Sequence, residues 1–364
     1  MTPEESITLI KTSLAEVLNP EIIDNIILNE SRPLCVYWGT APAGKPHCGY
    51  FVPMVKIAEL LHAGCHVKIL LADKHAQMDS HAPLELSAFD VSKLEFVVGS
   101  SFQKTREYEA DRFRFSNNVT VSQLIKAGSE VVKQGENPTL GSVEYPIWQS
   151  LDEEYLDVDA ELGGVNQRKL FTFSIDHMPK LGYKVRAHLM NTMVPGLGEA
   201  QKISSSEQSS KINLLDAPEE VTKKLRKAVC APNRVEGNDV IAFIEHVIFL
   251  VESLKTGGKP RFTVETRDGE APVYEDISKL KEDYKSDILT PQMIKPAVMK
   301  ALNDLLDPIR KDFEADDEWR HIAALAYPPE ERSQKTKKEK KNSENSQKLP
   351  IRLATTHRIT DEVP

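Results

Sequence analysis

Short apolar runs alternate with a helical pattern in the first half of the chain. The runs at 34–39 (LCVYWG), 65–73 (CHVKILLAD) and 94–100 (LEFVVGS) are typical of buried strands, and a fourth strand is expected near 185–190 (VRAHLM). Residues 54–64 (MVKIAELLHAG) carry apolar side chains at helical spacing and end at a glycine. The order strand, helix, strand predicts parallel pairing, so we expect an α/β fold with a doubly wound parallel sheet.

The second half has a different pattern. From about residue 216 the apolar positions follow helical spacing, as in EEVTKKLRKAVC, VIAFIEHVIFLVESL and PAVMKALNDLLDPIRKDF. From Glu330 the chain is polar and lysine-rich, a composition that predicts disorder. We therefore expect an α/β domain with an N-terminal helix over 1–215, a mostly α-helical domain over 216–329, and a disordered tail over 330–364.

Composition excludes several classes of protein. No run of about 18 apolar residues is present, so we expect no membrane span. The four cysteines form no CxxC pair, which disfavours a structural zinc site and indicates free thiols in a reducing compartment. The formal net charge of -9 weighs against a dedicated nucleic-acid-binding protein but leaves room for local basic segments such as 223–227 (KKLRK).

A glycine-rich turn follows the first strand. Residues 37–51 (YWGTAPAGKPHCGYF) place His47 where the next helix should begin. In a doubly wound sheet the carboxyl ends of the strands border the ligand crevice, and a helix N-terminus there suits phosphate. The stretch predicts a nucleotide site, although an ordinary strand–turn–helix connection with a histidine cap fits the same pattern.

A second stretch, 201–216 (QKISSSEQSSKINLLD), has three serines after Lys202. A lysine on such a loop can contact phosphate oxygens as a point charge. Serine-rich segments are also common linkers, and this segment alone does not decide between the two.

The third stretch, 145–155 (YPIWQSLDEEY), has Tyr145, Gln149 and Asp152 at i, i+4 and i+7, so they share one face of a predicted helix. Pro146 suits the first turn of that helix. A carboxylate can accept a hydrogen bond from a phenol, and the tyrosine and amide oxygens can bind an ammonium group. The alternative is a solvated helix face, since Glu153 and Glu154 follow.

Together these motifs resemble one family. PHCGY resembles the HIGH motif of class I aminoacyl-tRNA synthetases, and KISSS resembles their KMSKS loop. YWGTAPAGKPHCGYF, YPIWQSLDEEYLDVDAELGGVNQRKLF and HLMNTMVPGL resemble eukaryotic and archaeal tyrosyl-tRNA synthetases, and the resemblance covers about residues 5–328. It implies a Rossmann-like catalytic domain followed by an anticodon-binding domain. It also implies a tyrosine site made of Tyr37, Tyr145, Gln149, Asp152 and Gln167, with Phe102 and Gln103 as further pocket-lining candidates.

The resemblance also implies the reaction. ATP would activate L-tyrosine as tyrosyl-adenylate, which would then acylate tRNA(Tyr). Mg²⁺ would arrive with ATP, and no protein-bound metal or prosthetic group is implied. A cytoplasmic homodimer is expected. The residues that the resemblance assigns to catalysis are His47, Gly49, Lys202, Ser204 and Ser205. Those that it assigns to ATP binding are Pro42, Gly44, His47, Gly49, Tyr50, Lys202, Ile203, Ser204, Ser205 and Ser206.

Some positions depart from the family pattern. The segment near 87–92 is shorter than in relatives, Asn166 replaces an aspartate, and Lys74 and Ile203 replace an apolar residue and a methionine. Two alternatives therefore stay open: a paralogue that adenylates tyrosine or an analogue without charging tRNA, and a catalytically weak tRNA-binding or regulatory protein. A tryptophan-specific relative would share the architecture, but the pair Tyr37 and Asp152 suits a phenol better than an indole, which can only donate.

Overall fold

The described residues contain a six-stranded sheet. The computed structural model describes residues 1–41, 45–72, 91–132, 137–194, 196, 211–265 and 271–327. The strands lie side by side in the order β1-β6-β5-β2-β3-β4; β1 runs antiparallel to β6, and the other neighbours are parallel. Their bounds are β1 Glu16–Leu18, β2 Cys35–Thr40, β3 His66–Leu71, β4 Leu94–Val98, β5 Ala160–Gly164 and β6 Ala187–Asn191.

The four strands expected from apolar runs are β2, β3, β4 and β6, and the predicted parallel sheet is confirmed. β1 and β5 were not predicted. The helices around the sheet are α1 Pro3–Lys11, α2 Pro20–Asp24, α3 Phe51–His62, α4 Arg106–Ser116, α5 Val121–Gly128, α6 Leu140–Tyr155 and α7 Arg168–His177. A single 3₁₀ turn, Cys48–Tyr50, leads into α3.

Helices continue through the second half. They are α8 Pro218–Lys227, α9 Asp239–Phe243, α10 Phe249–Thr256, α11 Ile277–Lys285, α12 Pro291–Ala315 and α13 Asp317–Ala326. A π-helical turn, Ile244–Ile248, joins α9 to α10, and a two-stranded hairpin pairs β7 Phe262–Thr263 with β8 Val273–Tyr274. None of these helices, nor any other in the described ranges, is both long and apolar enough for a bilayer crossing.

The helical half shares its hydrophobic core with the sheet half. Phe51 and Val52 of α3 pack in the same buried cluster as Val221 of α8 and Val298 of α12. Met1–Tyr327 accordingly forms one compact unit. The boundary at 215/216 stays a prediction, and the predicted tail lies outside the described residues.

The N-terminal helix is held at both ends. Thr2 and Glu5 form a reciprocal capping box at its start. At its end the ammonium of Lys56, a buried residue of α3, donates to the carbonyl oxygens of Leu9 (2.9 Å) and Thr12 (2.7 Å) and to Glu59 Oε2 (3.0 Å). Because terminal carbonyls lack partners within a helix, this lysine acts as a C-terminal cap supplied by another helix.

Candidate active site

A pocket opens near the carboxyl end of β2. The five residues expected to bind tyrosine all line it, from three separate elements: Tyr37 from β2, then Tyr145, Gln149 and Asp152 from α6, and Gln167 from the turn after β5. The space among these residues, including its opening to solvent, is about 280 Å³. Its other lining residues are Gly39, Ala41, Leu70, Ala72 and Glu161.

Helix α6 carries most of the polar lining. Gln149 and Asp152 are 6% and 0% exposed, so their helix face is buried and the solvated-face alternative is wrong. The expectation that Pro146 lies in the first turn is also wrong, because α6 begins at Leu140 with Thr139 as its N-cap. Pro146 therefore sits inside the helix, where its missing N–H removes one intrahelical hydrogen bond.

The carboxyl group of Asp152 is held by two donors. Gln103 Nε2 lies 2.7 Å and Tyr108 Oη 3.0 Å from Asp152 Oδ1. Burial raises the pKa of Asp152 to about 8, although both donors act in the opposite direction by favouring the carboxylate. Gln103 thus supports Asp152 from behind and is not among the lining residues. The site at this end offers a buried oxygen acceptor of fixed orientation.

Tyr37 lies across the pocket on β2. Its hydroxyl donates to the backbone oxygen of Gln149 at 3.5 Å. Burial raises the pKa of Tyr37 well above its ordinary value, and the nearby Glu161 adds to this. The phenol of Tyr37 is therefore a neutral hydrogen-bonding group at neutral pH.

Two glycines make room for Gln167. A Cβ added at Gly163 would lie 1.8 Å from Gln167 Oε1, and one added at Gly164 would lie 2.5 Å from Asn166 Oδ1. Gln167 Oε1 accepts from the Gly164 N–H at 3.3 Å. Gly163 is the more constrained of the two, because its added Cβ would also lie 2.6 Å from the ring of Phe171, whereas Gly164 faces only the movable ends of Asn166 and Met193. Asn166 lies beside Gly164 and not in the pocket lining.

His47 caps the 3₁₀ turn that leads into α3. Its Nδ1 accepts from the Gly49 N–H at 3.1 Å, so the proton of the neutral ring is on Nε2. Burial, together with the positive charge of Lys211, lowers the pKa of His47 to about 4. The Tyr50 ring stands edge-on to the imidazole, with 5.1 Å between centroids. At neutral pH His47 is an uncharged N–H donor at a helix start, a group suited to an anionic oxygen.

The segment that follows the serine-rich motif is fastened to the His47 segment. His47 pairs with Asn213 in an antiparallel bridge. The Cys48 N–H donates to Ile212 O at 2.8 Å, and the Leu214 N–H donates to Pro46 O at 2.9 Å. The segment that begins at Lys211, directly after the serine-rich stretch, therefore lies beside the turn that carries His47. Several residues assigned to catalysis and ATP binding lie outside the described residues: Pro42, Gly44, Lys202, Ile203, Ser204, Ser205 and Ser206.

Comparison with known proteins gives the family. Residues 29–307 match the family described as tRNA synthetases class I (W and Y). The chain belongs to this family. It is 43% identical over 370 residues to the cytoplasmic tyrosine–tRNA ligase of Saccharomyces cerevisiae, covering 96% of this chain and 94% of the relative. It is 44% identical to the cytoplasmic tyrosine–tRNA ligase of Danio rerio, covering 97% of this chain and 69% of the relative.

Solved structures agree with this family. The tyrosyl-tRNA synthetase of Pyrococcus horikoshii, solved with L-tyrosine, superposes with a TM-score of 0.78 at 28% identity, covering 89% of this chain and all (100%) of that one. The Archaeoglobus fulgidus tyrosyl-tRNA synthetase, also with L-tyrosine, gives 0.74 at 30% identity, covering 85% and 99%. A tryptophanyl-tRNA synthetase from Aeropyrum pernix gives 0.61 at 17% identity over 85% of each chain, a likeness of fold alone.

Sequence analysis did not identify two buried polar residues at the candidate site of this class I synthetase. Tyr108 is fully buried on α4 and donates to Asp152, yet no motif includes it. Glu161 is buried on β5 and lines the pocket. Because β5 itself was not predicted, no local signal in the sequence identified Glu161, whose place beside Tyr37 follows from the pairing of β5 with β2.

In the described part of this synthetase, Glu153, Glu161 and His188 place one candidate ligand atom each within 4.8 Å of one another. Two contacts already engage Glu153 Oε1: the hydroxyl of Ser174 at 2.7 Å and His188 Nε2 at 3.0 Å. This arrangement is a hydrogen-bonded network under the pocket and not an open coordination shell.

The basic segment 223–227 lies on α8. Lys224 is buried and its ammonium lies 2.5 Å from Asp216 Oδ2, so it is not available to phosphate. Lys223, Arg226 and Lys227 are exposed. These three side chains remain candidates for contact with a polyanion.

Proposed function

We propose that the chain ligates L-tyrosine to tRNA(Tyr) through a tyrosyl-adenylate, using ATP. One observation carries the proposal: side chains from β2, α6 and the turn after β5, as far apart in sequence as Tyr37 and Gln167, converge on one small buried pocket. The named relatives are tyrosine–tRNA ligases at 43% and 44% identity over nearly the whole chain. A cytoplasmic location is consistent with their names.

The pocket would recognise both the phenol and the α-ammonium group of tyrosine. Asp152 and Tyr37 would share the substrate phenol, the carboxylate as acceptor and the hydroxyl as partner. Tyr145, Gln149 and Gln167 would bind the α-ammonium with their oxygen atoms. Because Asp152 Oδ1 already receives two donors, its position is fixed before the substrate arrives. Such preorganisation lowers the free-energy cost of binding.

ATP would bind beside His47. In the first step the tyrosine carboxylate attacks the α-phosphorus, and pyrophosphate leaves. In the second step a terminal ribose hydroxyl of tRNA attacks the acyl carbon, and AMP leaves. The Nε2–H of His47, the N–H groups at the start of α3 and Lys202 would stabilise negative charge on the phosphates. Mg²⁺ would enter with ATP as part of the substrate, held mainly by phosphate oxygens and water.

The helical residues 216–329 would bind the anticodon arm, with Lys223, Arg226 and Lys227 as exposed phosphate contacts.

We also propose a homodimer. Phe113 on α4 and Leu140 at the start of α6 are 69% and 73% exposed, which is consistent with a surface that a second copy covers. Light scattering on the purified chain tests the dimer directly.

Two assays on the full chain test the activity. Tyrosine should support exchange of labelled pyrophosphate into ATP, and phenylalanine should not. Transfer of labelled tyrosine to tRNA then separates a full ligase from a paralogue that stops at the adenylate. Absence of tyrosine-dependent exchange would overturn the proposed reaction, while exchange without tRNA charging would limit it to the first step.

A further inference from the structure

A row of polar side chains crosses the sheet beneath the tyrosine pocket. Tyr37 of β2 is the register partner of Glu161 of β5, and Glu161 is the partner of His188 of β6. Register partners on neighbouring strands point to the same face of a sheet. All three residues are buried, and only Tyr37 belongs to the set that the sequence assigned to the substrate.

Glu161 determines how the Gln149 amide is oriented. Gln149 Nε2 donates to Glu161 Oε1 at 2.5 Å. When Glu161 is ionised it can only accept, and the NH₂ group of Gln149 then faces Glu161. The other end of that amide, Gln149 Oε1, is buried and has no hydrogen-bond partner within the described residues. Gln149 lines the pocket, so the arrangement leaves an acceptor for a ligand that donates.

Of the two neighbouring carboxyl groups, Glu153 and Glu161, only that of Glu161 lines the pocket. Glu153 is occupied by Ser174 and His188 and does not line the pocket. Glu161 does line it, and its Oε2 makes no hydrogen bond of normal geometry in the described part of the chain, although the Tyr37 hydroxyl lies near enough to favour the carboxylate. A buried carboxyl oxygen without a partner is costly unless a donor or a cation fills the place beside it.

We propose that Glu161 is a positioning residue for the α-ammonium group of the amino-acid substrate. It holds Gln149 with Oε1 available to accept from the ammonium, and it places a negative charge close to that cation. The inference rests on the proposed binding of tyrosine in this pocket. Burial raises the pKa of Glu161, and Glu153 raises it further; a bound ammonium acts in the opposite direction. The carboxylate and the cation therefore stabilise each other.

The substitution Glu161→Gln removes the charge and allows either end of the new amide to face Gln149. The test compares two ligands by calorimetry on the full chain: L-tyrosine, and 3-(4-hydroxyphenyl)propionate, which lacks the amino group. We expect Glu161→Gln to weaken the binding of L-tyrosine by about 10- to 150-fold, the range for a hydrogen bond to a charged group, and to change the binding of the propionate by no more than about twofold. In pyrophosphate exchange, KM for tyrosine should rise by more than kcat falls.

Two further variants distinguish a positioning role of Glu161 from a role in folding. Glu154→Gln makes the same chemical change at a carboxyl that bonds Arg186 at 2.6 Å and does not line the pocket, so its ratio of the two affinities should match wild type. Glu161→Asp keeps the charge and should recover part of the preference for L-tyrosine.

Equal weakening of both ligands by Glu161→Gln, or no weakening of either, would overturn the inference while the tyrosine site stands. A wild-type chain that fails to bind L-tyrosine would instead overturn the proposed function, and this inference with it.

Discussion

Replacing Asp152 by asparagine reverses the polarity of one end of the pocket. The two side chains have nearly the same shape, so packing in the buried site is preserved. Gln103 Nε2 and Tyr108 Oη both donate to Oδ1, which means that the carbonyl oxygen of the asparagine has to take that place. Its NH₂ group then takes the place of Oδ2. The proposed acceptor for the substrate phenol becomes a donor.

The size of the effect follows from the hydrogen bond that is lost. Above about pH 8, where Asp152 is ionised, a hydrogen bond to this charged group contributes about 1.5–3 kcal/mol, which corresponds to about 10- to 150-fold in kcat/KM for tyrosine. Phenylalanine has no hydroxyl, so its kcat/KM should change little. A site built for a hydroxyl rejects the analogue without it by about 10⁴–10⁵, a range for which a tyrosyl-tRNA synthetase is itself the known example. Asp152→Asn should reduce that preference to about 10²–10⁴.

Pyrophosphate exchange with each amino acid measures the ratio. Asp111→Asn is the matched control, since Asp111 also accepts from tyrosine hydroxyls, those of Tyr155 and Tyr183, but does not line the pocket. That variant should keep the wild-type preference even if it lowers thermal stability. A fall of the same factor for tyrosine and phenylalanine in Asp152→Asn would refute the reasoning, because it would mean that the carboxyl only maintains the shape of the pocket.

Three further predictions concern the surroundings of this pocket. His47→Asn should lower kcat for adenylate formation by about 10²–10³ without changing KM for tyrosine; since the pKa of His47 is held to about 4, wild-type kcat/KM for ATP should show no His47 titration between about pH 5.5 and 7.5. Lys56→Met leaves two carbonyls at the end of α1 without their donor and should cost about 2–4 kcal/mol in unfolding experiments, with the tyrosine–phenylalanine ratio unchanged. Asp216→Ala removes the acceptor for Asn213 and Lys224, so the segment beside His47 loses its support; kcat should fall by about 10- to 100-fold in exchange assays while calorimetry shows unchanged tyrosine binding.

Three of the four strands that sequence reasoning found lie inside the sheet, whereas the fourth, β4, is an edge strand that was found from its apolar run although Phe96 and Val98 are about half exposed. β2, β3 and β6 lie within the sheet and consist largely of apolar side chains, which is the usual pattern of parallel strands covered by helices. β5 (AELGG) lies equally deep but carries a glutamate and two glycines. Its composition serves the pocket rather than the core, and for that reason the apolar pattern did not reveal it.

The start of α6 was missed for a related reason. Pro146 indicated a helix beginning near Tyr145, yet Thr139 provides the actual cap and the helix continues past the proline. Packing of Val143, Ile147 and Leu151 in one buried cluster outweighs the loss of a single backbone hydrogen bond. The spacing of Tyr145, Gln149 and Asp152 was still sufficient to predict their common face, because three positions of one helix need no information about register.

The placement of Glu161 does depend on register, and one residue fixes that register. Asp159, just before β5, accepts from the Cys35 N–H at 3.0 Å, and its own N–H donates to Cys35 O at 2.8 Å. Arg32 holds the same carboxylate at 2.6 and 2.9 Å. A slip of β5 by one residue would turn Glu161 to the opposite face and bring the apolar Ala160 or Leu162 under Gln149. The chemistry at the proposed ammonium end of the pocket is therefore set from the far end of the strand, by a contact that joins residues more than a hundred positions apart and that no local motif records.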